Sequence, residues 1–266
     1  MSKKRHTAAD ERHFLVRTLA ADFADGRKLE PHTHAWGQLI YAVCGVMSVQ
    51  TAQGSWVAPP HWAVWAPAGV AHAMRFTGRT SLRTLYLRPG RWDGLPRRSA
   101  VIAVSGLLRA LIGRAVEIGM LDAREPAHAA MADLIAWELR EHSTPALDLP
   151  LPKGAALQRI AEHLAKAPAD RRGHALLAKQ FAIGARTLER GFAQETGLSL
   201  GQWRKQARFL HALRVLGGGA AVKQAALEAG YRSSSAFIAA FRAALGTTPG
   251  RYFGAERLRP AASDFL

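Results

Sequence analysis

The sequence has a single cysteine, no long apolar run and a shortage of acidic residues. Cys44 is the only thiol, so an intramolecular disulfide framework and a zinc site built from several thiolates are both excluded. Apolar stretches stay below the roughly 18 residues that a membrane span needs, and the basic N-terminus has no apolar stretch of signal-peptide length. The sequence therefore predicts a cytoplasmic protein that does not act at a membrane.

The shortage of acidic residues leaves a strongly basic chain. Among its 266 residues, 36 lysines and arginines outnumber 20 aspartates and glutamates, which gives a net charge of +16. Residues 155–254 hold 15 of the basic and 5 of the acidic residues, so +10 of this charge lies there. Chains of this kind typically bind a polyanion. The uneven distribution favours a dedicated nucleic-acid-binding region over a uniformly basic, solvated surface.

The chain changes character along its length. Up to about residue 95, short β-type runs alternate with glycine and proline turns, a pattern typical of an all-β barrel or sandwich. Helical spacing begins near residue 99, a proline-rich stretch follows, and the remainder is again helical. We therefore predict an α+β chain of two domains. Its segments are a barrel at 1–98, a helical support or dimerisation segment at 99–142, a linker at 143–154, a basic all-α domain at 155–254 and a tail at 255–266.

The basic region contains an internal repeat with a spacing of 49 residues. Each copy has a helix with apolar residues four apart, a glycine that can end it, and an aromatic residue six positions later. A shorter helical stretch precedes each of these helices, so each copy is predicted to be a helix-turn-helix unit. The matching pairs are Leu188 and Phe237, Phe192 and Phe241, Gly197 and Gly246, and Trp203 and Tyr252.

The second copy shows how such a unit would be built. Gly230 can take the left-handed conformation of a helix C-cap, and a serine can cap the next helix. A buried stripe follows helical spacing from Phe237 to Leu245, while small or hydrogen-bonding side chains and an arginine lie on the opposite face, as direct contact with DNA bases requires. The predicted DNA-contacting residues are Ser233, Ser234, Ser235, Ala239 and Arg242 in the second copy, and Ala185, Arg186, Glu189 and Arg190 in the first.

A long helix is predicted between the two copies. Its apolar side carries Trp203 and Leu210, and its basic edge carries Arg204, Lys205 and Arg208. Taken singly, these charges indicate an ordinary solvated face. Beside two helix-turn-helix units, we predict that they contact DNA phosphates.

The stretch "WRKQARFLHALRVL", followed by "VKQAALEAGYRSSSAFIAAFRAALGTTPGRYF", resembles the AraC/XylS family of bacterial transcription regulators. The similar region covers roughly residues 155–254, and the second copy matches the family pattern nearly throughout. The resemblance implies two helix-turn-helix units that contact successive major-groove segments of double-stranded DNA. The first unit departs from the pattern, because Gly184 stands where the family usually has a serine that begins the recognition helix.

Two motifs in the strand-rich half resemble those of the cupin family. His32, His34, Gln38 and Gly45 follow the first motif, with glutamine in place of glutamate, and "PAGVAH" ending at His72 follows the second. Alternation along a strand would place His32 and His34 on one face, and the cupin barrel would bring Gln38 and His72 toward them. Three imidazoles and an amide oxygen could hold a divalent transition metal.

The departures from the cupin motifs leave other interpretations open. The acidic ligand is missing, His61 replaces the usual opening glycine of the second motif, and Phe76 replaces its closing asparagine. A pocket whose histidines hydrogen-bond an effector, or one another, is the competing hypothesis. Each histidine taken alone could equally be a satisfied core residue.

Tryptophan is dense in the same half and could line an effector pocket, although barrel core is its commoner use. Cys44 is interpreted as a small buried hydrophobe rather than a redox sensor. The tryptophans concerned are Trp36, Trp56, Trp62 and Trp65.

We therefore predict a one-component transcription regulator, not an enzyme, in which a small molecule bound in the barrel controls sequence-specific DNA binding. A homodimer and, for an activator, contact with RNA polymerase are further expectations, and activator and repressor both remain open. The first alternative is a metal-dependent cupin enzyme, a dioxygenase or isomerase, with an accessory DNA-binding domain. The second is nonspecific, architectural DNA binding.

Overall fold

The computed structural model describes residues 10–140 and 147–257, which form a strand-rich half and a helical half. After a short 3-10 helix, Asp10–His13, nine strands belong to the described part of the first half, which we call the barrel. The strands are β1 (Phe14–Phe23), β2 (Lys28–His32), β3 (Gly37–Thr51), β4 (Gly54–Ala58), β5 (Trp62–Ala66), β6 (His72–Leu87), β7 (Ala100–Ala103), β8 (Met120–Asp122) and β9 (Asp148–Pro150).

The barrel is organised by its two long strands, β3 and β6, which pair along both halves of their length. Residues 37–42 pair with residues 82–87, and residues 46–50 pair with residues 73–77. The register shifts between these halves, where Gly45 has a φ of 82° and permits the bend. One half continues into β5, β7, β1 and β8, and the other continues into β2, β4 and β9. This arrangement confirms the predicted cupin-like barrel.

Nine α-helices are assigned within the described ranges. They are α1 (Gly106–Ile118), α2 (Pro126–Glu138), α3 (Ala155–Lys166), α4 (His174–Gln180), α5 (Ala185–Thr196), α6 (Leu200–Gly217), α7 (Val222–Glu228), α8 (Ser234–Leu245) and α9 (Pro249–Arg257). No helix in these ranges is both long and apolar enough to cross a membrane.

The segment predicted to be helical support, 99–142, is helical only in part. Helices α1 and α2 pack against the half of the barrel that contains β1, as expected. However, β7 pairs with β5 and β8 pairs with β1, so this segment also completes the sheet. These short strands were missed because periodicity identifies three- and four-residue strands poorly. The last residues of the segment lie outside the described ranges.

The segment predicted to be a linker, 143–154, is corrected where the structure describes it. Strand β9 pairs with β4, and the side chains of Leu147 and Leu149 are buried. Proline is tolerated at the end of such an edge strand, so the prolines that indicated a linker are compatible with sheet structure. The chain from Leu147 onward is therefore attached to the barrel, and α3 begins soon after it. Residues 141–146 lie outside the described ranges, as does the predicted tail beyond Arg257.

The repeat in the helical half is confirmed in detail. Helices α5 and α8 each span 12 residues, and each ends at a left-handed glycine, Gly197 with a φ of 75° and Gly246 with a φ of 73°. The shorter helices α4 and α7 precede them, and α6 joins the two units. Ser199 and Gln202 form a capping box that fixes the start of α6.

The two halves share one apolar core. Helix α6 contacts β3, β4, β6 and β9, and buried residues of the barrel and of the helical half belong to one continuous cluster. Gly217, the last residue of α6, lies so close to Val46 that a Cβ there would come within 2.3 Å of a Val46 methyl carbon. The contact is therefore close packing rather than a loose tether.

Candidate functional site

The second helix-turn-helix unit presents an exposed helical face. Gly230, with a φ of 77°, makes the turn after α7, and the Ser233 hydroxyl accepts a hydrogen bond from the Ala236 amide at 3.1 Å. Phe237 and Phe241 are fully buried and fix the opposite face of α8. The predicted DNA-contacting residues lie on the outer face, with Ser234 half-buried and the others, Ser233, Ser235, Ala239 and Arg242, exposed.

The first unit presents a similar face on α5. Leu188 and Phe192 are buried, while the predicted contacts, Ala185, Arg186, Glu189 and Arg190, are all exposed. Gly184 occupies the N-cap with extended backbone and supplies no side-chain hydrogen bond, as expected from the sequence. The Glu189 carboxylate lies 2.5 Å from Nδ1 of His174, so α4 holds this side chain in place.

The basic edge of α6 differs from its prediction. Arg204 donates a hydrogen bond of 2.6 Å to the Arg172 carbonyl, and Arg208 donates bonds of 2.8 and 2.9 Å to the carbonyls of Pro168 and Asp170. Both guanidinium groups are half-buried and hold the turn before α4 against α6. Lys205 alone among the three is exposed. The sequence could not separate these roles, because the three residues lie within a little more than one helical turn.

A basic cleft of about 320 Å³ lies beside this edge, between the two units. It combines the arginines of α6 with two residues that were not predicted, Arg171 before α4 and Arg232 before α8. Both of these side chains are exposed. The triplet "YRS" just before the serine cap of α8 was the available signal for Arg232.

The three motif histidines of the barrel come together. Ring centroids of His32 and His34 are 5.0 Å apart, those of His32 and His72 are 4.6 Å apart, and those of His34 and His72 are 5.4 Å apart. Within the described residues they form a group whose potential ligand atoms all lie within 4.8 Å of one another. His34 follows the end of β2 rather than lying in it, so loop geometry, not strand alternation, turns it toward His32.

The hydrogen bonds fix the protonation of two of these rings. Nδ1 of His32 lies 2.7 Å from the Glu30 carbonyl oxygen, and Nδ1 of His72 lies 2.9 Å from that of Val70. A carbonyl only accepts, so each Nδ1 carries a proton and each neutral ring has an unprotonated Nε2. Nε2 of His34 is buried without a hydrogen-bond partner among the described residues.

Gln38 creates a conflict at this cluster. Its amide nitrogen donates hydrogen bonds to the hydroxyls of Thr84 and Tyr86, at 3.0 and 3.2 Å. The amide oxygen of Gln38 therefore faces Nε2 of His72 at a distance of 2.9 Å. In the neutral His72 ring this Nε2 carries no proton, so two hydrogen-bond acceptors face each other. Thr84 and Tyr86 were not predicted, and only the paired strands reveal them.

The surroundings of the cluster favour neutral imidazoles. Burial, together with the charges of His32 and His72, lowers the pKa of His34. Burial also lowers the pKa of His72, which outweighs the raising effect of the Val70 carbonyl. Neutral imidazole is the form that binds metal ions.

The four tryptophans make different contacts. Trp36 packs against the guanidinium of Arg17, at 4.2 Å from its carbon to the ring centroid, and Trp56 is buried in the core. Trp65 is also buried, and its indole donates a hydrogen bond to the Pro96 carbonyl at 2.8 Å. Trp62 packs against the core. These contacts favour the structural alternative, and the effector-lining role stays a prediction. Cys44 is only half-buried.

Comparisons with known proteins agree with this geometry. An AraC-like ligand binding domain model matches residues 13–184, and a helix-turn-helix domain model matches residues 177–255. The chain belongs to the AraC/XylS family of transcription regulators. It therefore combines a ligand-binding domain with a helix-turn-helix DNA-binding domain.

The chain is similar to the HTH-type transcriptional regulator NimR of Escherichia coli (strain K12), with 34% identity over 221 residues, 83% of this chain and 81% of NimR. Among solved structures, the DNA-binding domain of AdpA in complex with a target DNA is 28% identical and covers 41% of this chain and all of that one, with a TM-score of 0.38. ToxT from Vibrio cholerae is 11% identical and covers 90% of this chain and 97% of that one, with a TM-score of 0.38.

Proposed function

We propose that the chain is a cytoplasmic one-component regulator whose promoter binding is controlled by a small molecule bound in the barrel. The observation that carries this proposal is the pair of helices α5 and α8, which each present an exposed face and pack against α6, while α6 itself packs on the barrel. Exposed polar side chains on α5 and α8 select the DNA sequence. The basic cleft between them adds salt-dependent affinity.

Control follows from the shared core. An effector shifts the population toward DNA binding only if it binds that arrangement better than the other. Because β3 and β6 contribute both to the histidine cluster and to the contact with α6, a ligand that changes the barrel also changes the position of α6.

A homodimer is part of this proposal. Leu107 of α1 is 47% exposed, and Leu134 and Trp137 of α2 are 45% and 56% exposed. Large apolar side chains exposed on adjacent helices are suited to a second copy of the same surface. An activator would in addition contact RNA polymerase.

The histidine cluster supports a divalent transition-metal ion within the barrel site. His32, His34 and His72 would hold the ion, because two of them already donate Nδ1–H to carbonyls, as metal-bound histidines usually do. An ion would also remove the conflict at Gln38 and satisfy the buried Nε2 of His34. The ion would supply a Lewis-acidic position for an effector with a donor atom.

We infer that no reaction is catalysed there. Gln38 stands where the cupin pattern has a carboxylate, so the site lacks the acidic ligand of that pattern. The rival is a metal-dependent dioxygenase or isomerase. The metal-dependent enzyme would be excluded if a metal-free preparation of the protein binds the promoter specifically and added metal produces no dioxygenase or isomerase activity.

The first experiment measures promoter binding by fluorescence anisotropy. The protein is titrated against DNA from upstream of its own gene and against a scrambled duplex at several salt concentrations. We expect a preference for the native DNA that persists as salt rises. Equal binding to both duplexes, lost together with salt, would instead indicate architectural binding.

The second experiment measures metal content by mass spectrometry after purification without chelators. We expect about one transition-metal ion per chain, and its loss in His34→Gln and His72→Gln. The surface variant His174→Gln is the matched control and should retain the ion. Wild-type protein without metal that also fails to bind added zinc would contradict the metal site.

A further inference from the structure

The repeat of the helical half also governs how that half is attached to the barrel. Trp203 and Tyr252 occupy the same position of the two copies, 49 residues apart. The indole of Trp203 donates a hydrogen bond of 2.8 Å to the Pro150 carbonyl. The hydroxyl of Tyr252 donates one to the Pro60 carbonyl. Both acceptors belong to the barrel, so equivalent aromatic residues dock the two helix-turn-helix units on it.

The two docking points lie near opposite ends of one strand. Pro150 ends β9 and is paired with Gly54, the first residue of β4. Pro60 lies two residues after Ala58, the last residue of β4. The separation of the two docking points is therefore set by β4.

The two docking points differ in how firmly they are held. Trp203 is fully buried, and beside it the Gln206 amide donates a hydrogen bond of 3.0 Å to the Asp148 carboxylate. Helix α6 is thus bound to β9 at two residues. Tyr252 is half-buried, and its hydroxyl contacts a turn, residues 59–61, that we call the docking turn. The second unit is therefore the one that is more easily released from the barrel.

The docking turn has a strained backbone. His61 has a φ of 69°, a left-handed conformation that non-glycine residues seldom adopt and that surrounding contacts must enforce. Arg109 of α1 donates a hydrogen bond to Nδ1 of His61, and the Val104 amide donates one of 2.8 Å to the His61 carbonyl. The ring of His61 lies edge-on to that of Tyr252, with 5.8 Å between centroids. One strained turn thus contacts α1 on one side and α9 on the other.

The docked arrangement is suited to DNA binding. The Tyr252 ring packs on Phe241 of α8, with 5.5 Å between centroids, so the position of Tyr252 constrains that of the recognition helix. In this arrangement Arg232 of the second unit and Arg171 of the first line the same basic cleft. Cations of both units that face one cleft can contact a single duplex. Release of Tyr252 would let the second unit move out of this alignment.

We propose that α9 is a latch: the Tyr252 hydroxyl, held on the docking turn, keeps the second helix-turn-helix unit aligned with the first for DNA binding. Arg109 is a positioning residue that holds the turn through His61. Strand β5 directly follows the turn and ends at Ala66, which is paired with Gln38, so it gives a ligand at the histidine cluster a route to the latch. Control of promoter binding by the latch rests on the proposed function, whereas the attachment of α9 to the barrel does not.

The first test measures the latch without DNA, by hydrogen–deuterium exchange of the full chain. Tyr252→Phe keeps the ring that packs on Phe241 and removes the hydroxyl. We expect amide exchange across α8 and α9 to rise about three- to tenfold, as the loss of one hydrogen bond predicts, while exchange in α5 stays at the wild-type rate. Unchanged exchange in α8 and α9 would overturn the latch.

Tyr231→Phe is the matched control for this exchange experiment. Tyr231 belongs to the same unit and is also half-buried, but among the described residues its hydroxyl has no hydrogen-bond partner. The variant should therefore exchange like the wild-type chain. An equal rise in exchange in Tyr231→Phe would make the effect a general loosening of the unit and would also overturn the latch.

The second test measures promoter binding by anisotropy, at a temperature where circular dichroism shows every variant to be folded. Tyr252→Phe should weaken binding about three- to tenfold. Arg109→Met should weaken it as well, and the double variant should bind no more weakly than the weaker single variant, because both changes release the same latch. Combined with Lys205→Ala on α6, Tyr252→Phe should instead act additively.

Two results of the second test would overturn control of DNA binding by the latch. One is an unchanged promoter affinity in Tyr252→Phe, and the other is additive losses from Tyr252→Phe and Arg109→Met. Wild-type protein that does not prefer the promoter to a scrambled duplex would instead contradict the proposed function. In that case the exchange experiment still decides whether α9 is latched to the barrel.

Discussion

Arginines that look alike in the sequence have different tasks in this chain. Arg208 donates to two backbone carbonyls and is half-buried, whereas Lys205, three residues earlier, is exposed on the same edge of α6. The first fixes the turn before α4, and the second is free to approach a phosphate. Asp170, whose pKa is held far below its usual value mainly by hydrogen bonds from Arg172, belongs to the same turn.

This difference predicts opposite results for two variants. Arg208→Ala should lower the free energy of unfolding by about 2 kcal/mol, because it removes the hydrogen bond that the buried Pro168 carbonyl accepts. Lys205→Ala should leave stability unchanged, weaken binding to all duplexes alike and reduce the slope of log K against log salt by about one. Denaturant unfolding and salt-dependent anisotropy measure the two effects. A stable Arg208→Ala protein with a reduced salt slope would restore Arg208 as a phosphate contact.

The histidine cluster predicts a pH-dependent stability. The pKa values of His34 and His72 are lowered in the folded chain, so the unfolded chain takes up more protons as pH falls through about 6.5. The free energy of unfolding should therefore be fully present above this pH and decrease as pH falls below it. Asp170 contributes a similar loss only below about pH 4.

Denaturant unfolding of the metal-free chain between pH 5 and pH 8 measures this dependence. His72→Gln should reduce the loss between pH 7 and pH 5. An unchanged slope in His72→Gln would show that the buried ring does not titrate in this window.

At the scale of elements, the helices with a strong pattern could be predicted and the contacts between elements could not. The repeat predicted α5 and α8, with their glycine C-caps and buried stripes, because spacing within a helix is local information. Strands β7, β8 and β9 escaped prediction, because three or four residues carry too little periodicity. The roles of Arg204, of the tryptophans and of Thr84 depend on distant partners, which no local pattern specifies.

The two recognition helices predict separable changes in sequence preference. Arg242→Ala should weaken promoter binding by about 1–3 kcal/mol and relax the preference at one base pair. Arg190→Ala should relax a different position, because α5 and α8 belong to different helix-turn-helix units. Selection from a randomised duplex library measures both. Uniform weakening across all sequences in either variant would assign that arginine to the phosphate backbone.

At the scale of the whole molecule, the barrel and the helical half are not independent bodies. One of the two clusters of buried residues contains residues of both halves, and the described part of the predicted linker includes a strand of the sheet. Regulation must therefore act through a packed interface, which has discrete arrangements rather than a continuous range.

The close approach of α6 to β3 predicts that one methyl group uncouples the halves. In Gly217→Ala, the new Cβ would lie 2.3 Å from a Val46 methyl carbon and 2.7 Å from its Cβ, so α6 must move away from the barrel. We expect a loss of about 1–3 kcal/mol in the free energy of unfolding and a broadened or split calorimetric transition, where the wild-type chain gives a single one. Gly106→Ala, at a helix end with open space around it, is the matched control and should keep the single transition. If Gly217→Ala also unfolds in one sharp step, then the two halves remain coupled. An altered promoter affinity in that variant would mean that the position of α6 alone sets DNA binding. An unchanged promoter affinity would mean that the packing of α6 does not take part in regulation.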